Sequence, residues 1–127
     1  MIVADSDVLI DWLHGKGSFA VVDDALGRQD LATSSVTAYQ LWAGARSEKA
    51  QSEVRDLLSL MSAILPFDDR AAERAGAVYR VLAGAGRAIG KADLYVAGIC
   101  LAQDAPLLTR NRREFERVPG LRIAPLA

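Results

Sequence analysis

Short apolar runs alternate along the chain with stretches in which apolar residues are helically spaced. The first run, residues 2–4, is too short for a helix and predicts a buried parallel strand, and similar runs predict strands at residues 31–34 and 64–65. Two more strands are predicted near the end, at residues 107–109 and 121–123. The pattern therefore predicts a sheet of short strands.

Apolar residues that recur every three or four positions predict helices between these strands. The predicted helices lie at about residues 8–14, 19–27, 37–44, 54–61, 68–82 and 91–103. Thr37 and Gln40 have the Thr-x-x-Gln form of a capping box, which predicts a helix start at Thr37. In the helix opened by Asp68 and Asp69, the spacing predicts the inner face: Ala72, Ala75, Val78, Tyr79 and Leu82.

The alternation of strands and helices predicts an α/β sandwich with a mainly parallel central sheet and helices on both faces. A length of 127 residues suits one compact domain, so we expect residues 1–127 to form a single domain. In such sheets, ligands bind at the carboxyl ends of the strands, where the strand order reverses. Asp5, Ser34 and Thr109 each lie at or just after the end of a predicted strand.

Composition narrows the possible chemistry. With 51% hydrophobic and 24% charged residues the chain has the balance of a folded protein, and no apolar run approaches the length of a membrane helix. We expect no membrane contact and a cytoplasmic location. His14 and Cys100 are the only residues of their types, which excludes an ordinary structural zinc site and leaves little for Ser-His-Asp or Cys-His catalysis. Carboxylates remain as the chemical groups.

The net charge of −1 conceals an uneven distribution. Aspartates dominate the first thirty positions, whereas arginines crowd the last third. This asymmetry predicts an acidic site beside a basic rim.

Asp5 and Asp7 directly follow the first predicted strand. Carboxylate oxygens at this position suit a hard divalent cation such as Mg²⁺ or Mn²⁺. Capping of the following helix is an equally good explanation for either residue taken alone.

Asp93 lies at the start of the most apolar helix of the chain. Capping also explains an acid at this position. Capping does not explain why a carboxylate leads into so apolar a segment, because burial there is costly without a partner. A metal ion is such a partner.

Residues 109–115 combine oxygen ligands with guanidinium groups. Asn111 and Glu114 are candidates to approach a metal, and Arg110, Arg112 and Arg113 are candidates to contact phosphate oxygens. A solvated surface turn is the simpler interpretation of this segment by itself.

Together these stretches contain what metal-assisted cleavage of a phosphodiester requires. A different enzyme class is also open, because Asp-x-Asp after a first strand suits a phosphatase with Asp5 as nucleophile and Asp7 as acid. Val8 and Leu9 do not supply the small turn and hydroxyl that such enzymes typically need.

Four ordered segments, residues 2–11, 35–44, 90–97 and 108–121, resemble those of PIN-domain ribonuclease toxins of the VapC type, from type II toxin–antitoxin systems. The resemblance implies a PIN-like three-layer sandwich and Mg²⁺- or Mn²⁺-dependent cleavage of RNA by metal-activated water. It implies that Asp5 and Asp93 are metal ligands, with Asn111, and Glu114 as a further candidate, completing the site. It also implies a homodimer neutralised by an antitoxin whose tail occupies the active-site groove.

Gln40 departs from the family pattern, which usually supplies a glutamate at this position. The amide oxygen still coordinates a cation, so Gln40 stays among the expected catalytic and metal-binding residues with Asp5, Asp93 and Asn111. Replacing a charge with a dipole weakens cation binding. A catalytically impaired PIN-fold binding module is therefore the alternative to a working enzyme.

Three aromatic residues, Trp12, Tyr39 and Trp42, have helical spacing. Such residues line a core more often than a groove, so we expect them to be core residues rather than part of an antitoxin groove. His14 and Cys100 are expected to be structural or incidental.

Overall fold

A computed structural model describes residues 1–126, in which four strands form one parallel sheet in the order β3-β2-β1-β4. The strands are β1 (Ile2–Ala4), β2 (Leu31–Ser34), β3 (Ile64–Leu65) and β4 (Leu107–Leu108). In the register, Val3 of β1 lies between Ala32 of β2 and Leu107 of β4. The predicted α/β fold with a parallel sheet is confirmed.

Helices fill the intervals between strands, much as the apolar spacing predicts. In the described residues they are α1 (Ser6–His14), α2 (Phe19–Gly27), α3 (Ser35–Gly44), α4 (Glu48–Ser59), α5 (Asp69–Gly84), α6 (Lys91–Gln103) and α7 (Arg112–Phe115). None of these helices is long and apolar enough to cross a membrane.

The core has two apolar layers, one on each face of the sheet. Val3 points into the layer formed with α5, α6 and α7, and its neighbour Ala4 points into the layer formed with α1, α2 and α4. This division follows from the geometry of a strand, in which successive side chains point to opposite faces. The molecule is therefore a three-layer sandwich.

The predicted start of α3 is wrong. The helix begins at Ser35, and the hydroxyl of Ser34 caps it by accepting a hydrogen bond from the backbone N–H of Thr37 at 3.0 Å. Because Thr37 is already inside the first turn, Gln40 has no role in a capping box.

Two further predictions of side-chain placement are wrong. In α5 the buried side is Ala71, Ala75, Val78 and Leu82, whereas Ala72 and Tyr79 are exposed. The cause is the close contact with α6, where a Cβ on Gly98 would collide with the Ala71 carbonyl.

The aromatic residues of α3 are also not core residues. Tyr39 is 70% exposed and Trp42 is 38% exposed, while Trp12 of α1 is half-buried. Trp42 lies under the guanidinium of Arg55, 5.5 Å from the ring centre, so partial exposure comes with a cation–π contact.

Residues 121–123 do not form the predicted strand. The segment makes a single parallel bridge, between Ile123 and Leu107. Two backbone hydrogen bonds accompany it, from Leu107 N to Arg122 O and from Ala124 N to Leu107 O. Pairing stops there because β4 has only two residues.

The strand order reverses between β1 and β4. The chain adds β2 and β3 on one side of β1 and then returns to place β4 on the other side. Asp5 and Thr109, which follow these two adjacent strands, therefore lie at the point where parallel sheets bind ligands.

Candidate active site

Asp5 occupies the carboxyl end of β1 and caps α1. Its Oδ1 accepts a hydrogen bond from the backbone N–H of Ser6 at 2.9 Å, so the capping interpretation is correct for this oxygen. The other oxygen, Oδ2, accepts a 2.8 Å hydrogen bond from the hydroxyl of Thr109. Asp5 is only 7% exposed, and burial, followed by the charge of Asp7, raises its pKa to about 6. The carboxyl is held in place while its charge stays poorly compensated.

Thr109 connects the two strand ends. It is fully buried, it donates to Asp5, and its oxygen accepts from the backbone N–H of Asn111 at 3.0 Å. The sequence pattern places Thr109 at the end of a predicted strand and assigns it no role in the site. The available signal was its position, since a polar residue directly after a buried strand lies at the ligand-binding edge.

Asp93 stands in the first turn of α6, but it is not the cap. The N-cap of α6 is Gly90, which has no side chain to offer, and Asp93 Oδ2 instead accepts a 3.3 Å hydrogen bond from the Asn111 amide nitrogen. Burial, followed by the charges of Glu114 and Asp7, raises the pKa of Asp93. The capping interpretation is therefore wrong for Asp93, which belongs to an acidic group.

Asp5, Thr109, Asn111 and Asp93 thus form a continuous chain of hydrogen bonds. The chain runs from the end of β1, across the loop after β4, to the start of α6. Because Asn111 donates through nitrogen, its amide oxygen remains available as a metal ligand.

Gln40 lies on α3, which packs against α6, the helix that carries Asp93. Its side chain borders a cavity of about 310 Å³ that it shares with Ala92 and Tyr95 of α6. The buried Gln40 Oε1 has no hydrogen-bond partner among residues 1–126. An amide oxygen without a partner is costly to bury, which favours a ligand at this position.

The arginines after β4 differ in their contacts. Arg110 forms an ion pair with the buried Asp11, at 3.0 Å from Nε to Oδ2. Arg112 lies 3.7 Å from Glu116. Arg113 is exposed and makes no ion pair with any residue in the range 1–126.

Glu114, Cys100 and His14 are the remaining residues considered in the sequence. Glu114 forms an ion pair with Arg117 at 3.2 Å while its charge reaches Asp93. Burial raises the pKa of the Cys100 thiol to about 12, which keeps it protonated and unreactive. His14 is exposed at the end of α1.

The donor set suits a hard divalent cation. Two carboxylates, Asp5 and Asp93, and two amide oxygens, of Gln40 and Asn111, supply only oxygen, which Mg²⁺ and Mn²⁺ prefer. No three side chains of Asp, Glu, His or Cys within residues 1–126 lie close enough together to hold a metal by themselves. A cation at this position would thus rely on the neutral amides as well as on the carboxylates.

Comparisons with known proteins identify the family of this chain. The family model of the PIN domain matches residues 2–121. This chain belongs to the PIN-domain family. It is 36% identical to the tRNA(fMet)-specific endonuclease VapC of Shigella flexneri, over 93% of this chain and 92% of that protein. It is 32% identical to ribonuclease VapC1 of Methanocaldococcus jannaschii, over 96% of this chain and 85% of the relative. The resemblance to VapC-type PIN domains is confirmed.

The fold comparison adds a solved complex. The structure of DNA-bound VapBC from Salmonella typhimurium contains a chain with a TM-score of 0.88 and 28% identity, covering 99% of this chain and 98% of its own. A PIN domain with such relatives does not favour the aspartate-nucleophile phosphatase that the Asp-x-Asp motif left open.

Proposed function

We propose that this protein is a divalent-cation-dependent endoribonuclease, the toxin of a toxin–antitoxin pair, with residues 1–127 acting as one PIN domain. One observation carries the proposal. The buried Asp5 carboxyl is joined through Thr109 and Asn111 to Asp93 at the reversal point of the sheet. The names of the relatives as ribonucleases support the choice of RNA.

The proposed ligands differ in charge. Asp5 and Asp93 supply the negative charge that holds the cation, and Gln40 and Asn111 supply neutral oxygens. When bound, the cation would activate a water for attack on the phosphodiester and offset charge on the phosphate. Thr109 keeps Asp5 in one orientation, because its hydroxyl donates to Asp5 Oδ2.

The arginines after β4 are proposed to contact the RNA phosphates. Arg113 is the most available, since it is exposed and makes no ion pair within residues 1–126. Arg112 and Arg110 would contact RNA with the nitrogens that their present partners do not use, because a guanidinium has five N–H donors.

An antitoxin protein is the proposed partner, with a homodimer as the assembly and the cytoplasm as the location. The solved complexes named VapBC support the partner. An apolar cavity of about 250 Å³ beside Gln40, bordered by Ile10, Leu13 and Val54, is the proposed seat of the antitoxin tail.

The direct test is cleavage of structured RNA with Mg²⁺ or Mn²⁺ by purified variants. We expect Asp5→Asn and Asp93→Asn each to lose about 100-fold or more in rate, because each removes a charged ligand. Asp24→Asn is the matched control, since Asp24 is exposed on α2 and its side chain pairs, among residues 1–126, only with Arg28. Equal cleavage by the wild type and both active-site variants would point to a contaminating nuclease and overturn the proposal.

A catalytically impaired binding module is the second candidate, and Gln40 is the observation that favours it. Its Oε1 has no partner among the described residues, and it carries no charge to hold a cation. Cleavage that appears only in Gln40→Glu would establish the impaired module. Comparable cleavage by the wild type and Gln40→Glu would favour the enzyme.

A further inference from the structure

Asp7 is a third carboxylate close to the candidate site, and only one of its two oxygens has a hydrogen-bond partner among residues 1–126. Its Oδ2 accepts a 3.0 Å hydrogen bond from the backbone N–H of Arg110 and lies 3.4 Å from the Thr109 hydroxyl. Its Oδ1 is buried and has no hydrogen-bond partner among residues 1–126. Buried carboxylate oxygens normally have partners, so this one requires an explanation.

Ordinary structural roles explain only Oδ2. A negative charge in the first turn of α1 is favourable because the helix N-terminus carries partial positive charge. The contact with Arg110 N ties α1 to the loop after β4. Neither role needs a second buried oxygen.

The carboxylates of Asp5 and Asp7 flank a single hydroxyl. Thr109 has one proton to donate, and the shorter contact, 2.8 Å, goes to Asp5. The charges of Asp5 and Asp7 therefore lie side by side and share the single proton of this hydroxyl. The same charge raises the pKa values of both Asp5 and Asp93, so Asp7 acts electrically on both proposed ligands.

We propose that Asp7 is a positioning residue that supplies the cation site with a third negative charge through Oδ1, in compensation for the charge that Gln40 lacks. It acts at one remove, by accepting a hydrogen bond from a water of the cation's hydration shell. This inference rests on the proposed function. An outer position agrees with the lack of three converging acids in residues 1–126. It also suits Mg²⁺, which keeps several waters and takes only one or two carboxylates directly.

The test is calorimetric titration with Mn²⁺ at neutral pH, which measures binding without turnover. Asp7→Asn keeps an oxygen that accepts from Arg110 N but removes the charge, so we expect affinity to fall about 10- to 100-fold. Adding Gln40→Glu to Asp7→Asn should restore most of the lost affinity, because the second substitution brings back one negative charge. Asp24→Asn should bind as the wild type does.

Asp7→Ser serves as a second neutral variant, and each protein is first checked for a cooperative thermal transition. Wild-type affinity in the neutral variants would overturn the inference. Weakened affinity that Gln40→Glu does not restore would also overturn it, because a purely structural loss is not repaired by charge at Gln40. If Asp5→Asn loses binding while Asp7→Asn does not, the inference fails and the proposed function stands. If Asp5→Asn binds Mn²⁺ as well as the wild type, the proposed function fails too.

Discussion

Asp5 and Asp11 are both buried, yet their surroundings shift their pKa values in opposite directions. Asp11 is 4% exposed; its Oδ2 accepts from the backbone N–H of Ser18 at 2.9 Å and pairs with Arg110. The Ser18 hydrogen bonds, assisted by Arg110, lower the pKa of Asp11. Asp5 is 7% exposed, and burial beside Asp7 raises its pKa to about 6. The protein therefore compensates the charge of Asp11 by itself, whereas it leaves the charge of Asp5 poorly compensated.

The two aspartates should act on stability with opposite signs. The folded protein holds a proton on Asp5 between its ordinary pKa of 3.8 and about 6, so Asp5 lowers the unfolding free energy as pH rises through this window. The contribution of Asp11 is present above its ordinary pKa and is lost as pH falls through its lowered value.

The largest expected loss of thermal stability is that of Asp11→Ala. It leaves the buried N–H of Ser18 without an acceptor and Arg110 without its partner, so the melting temperature should fall by several degrees. Thermal unfolding followed by circular dichroism measures the change. An unchanged melting temperature would mean that Asp11 is not the compensated charge described above.

Gly17→Ala would place a methyl group against the side chain of Asp11. Gly17 has a left-handed φ of 56°, and a Cβ there would lie 2.5 Å from Asp11 Oδ2. Gly15→Ala is the matched control, because Gly15 has a φ of 65° but nothing within 4 Å of the added Cβ. Denaturant titration should give a loss of about 1 kcal/mol for Gly15→Ala from backbone strain alone, and a larger loss for Gly17→Ala. Equal losses of unfolding free energy in the two variants would show that the added Cβ does not collide with Asp11.

Asp5→Asn should do the reverse and stabilise the cation-free protein. At pH 7 the buried charge is removed, the amide oxygen still accepts from Thr109 and the hydrogen bond from the Ser6 N–H is lost, so the unfolding free energy should rise by less than about 3 kcal/mol. The gain should shrink as pH falls from about 6 toward 3.8, where Asp5 itself becomes neutral. Urea titrations at pH 4 and pH 7 check both parts. A destabilised Asp5→Asn at pH 7, with Asp24→Asn unchanged, would contradict the comparison.

Gly90→Ala is expected to have the smallest effect. The added Cβ would lie 3.9 Å from Asp93 Oδ2, an ordinary van der Waals distance, on a backbone with φ of −62°. Its unfolding free energy should change by less than about 0.5 kcal/mol. A loss of unfolding free energy larger than that of Gly17→Ala would show that the start of α6 accepts an added Cβ less readily than the surroundings of Asp11 do.

The local pattern of apolar residues was sufficient to predict most helices and strands, because the apolar spacing of a helix differs from that of a buried strand. It placed Asp5 and Thr109 at or just after the ends of predicted strands, and the strand order of the fold then made the two strands neighbours. It failed at the start of α3, because Ser34 and Thr37 are both good caps and spacing alone does not choose between them.

Contacts between distant parts of the chain were beyond local pattern. The ion pair between Arg110 and Asp11 joins residues that only the fold brings together, and the sequence offered Arg110 simply as a phosphate contact. The exposure of Tyr39 likewise depends on how α3 packs, which helical spacing does not reveal.

The most direct test of the central claim is thermal unfolding of wild type and Asp5→Asn, each with and without Mn²⁺. Without the ion, Asp5→Asn should melt at the higher temperature. With Mn²⁺ at about 100 times its dissociation constant, the wild type should gain about 2.7 kcal/mol and rise toward or above the variant, which should barely respond. An equal response of the two proteins to Mn²⁺ would contradict the claim that Asp5 carries a charge kept for a cation.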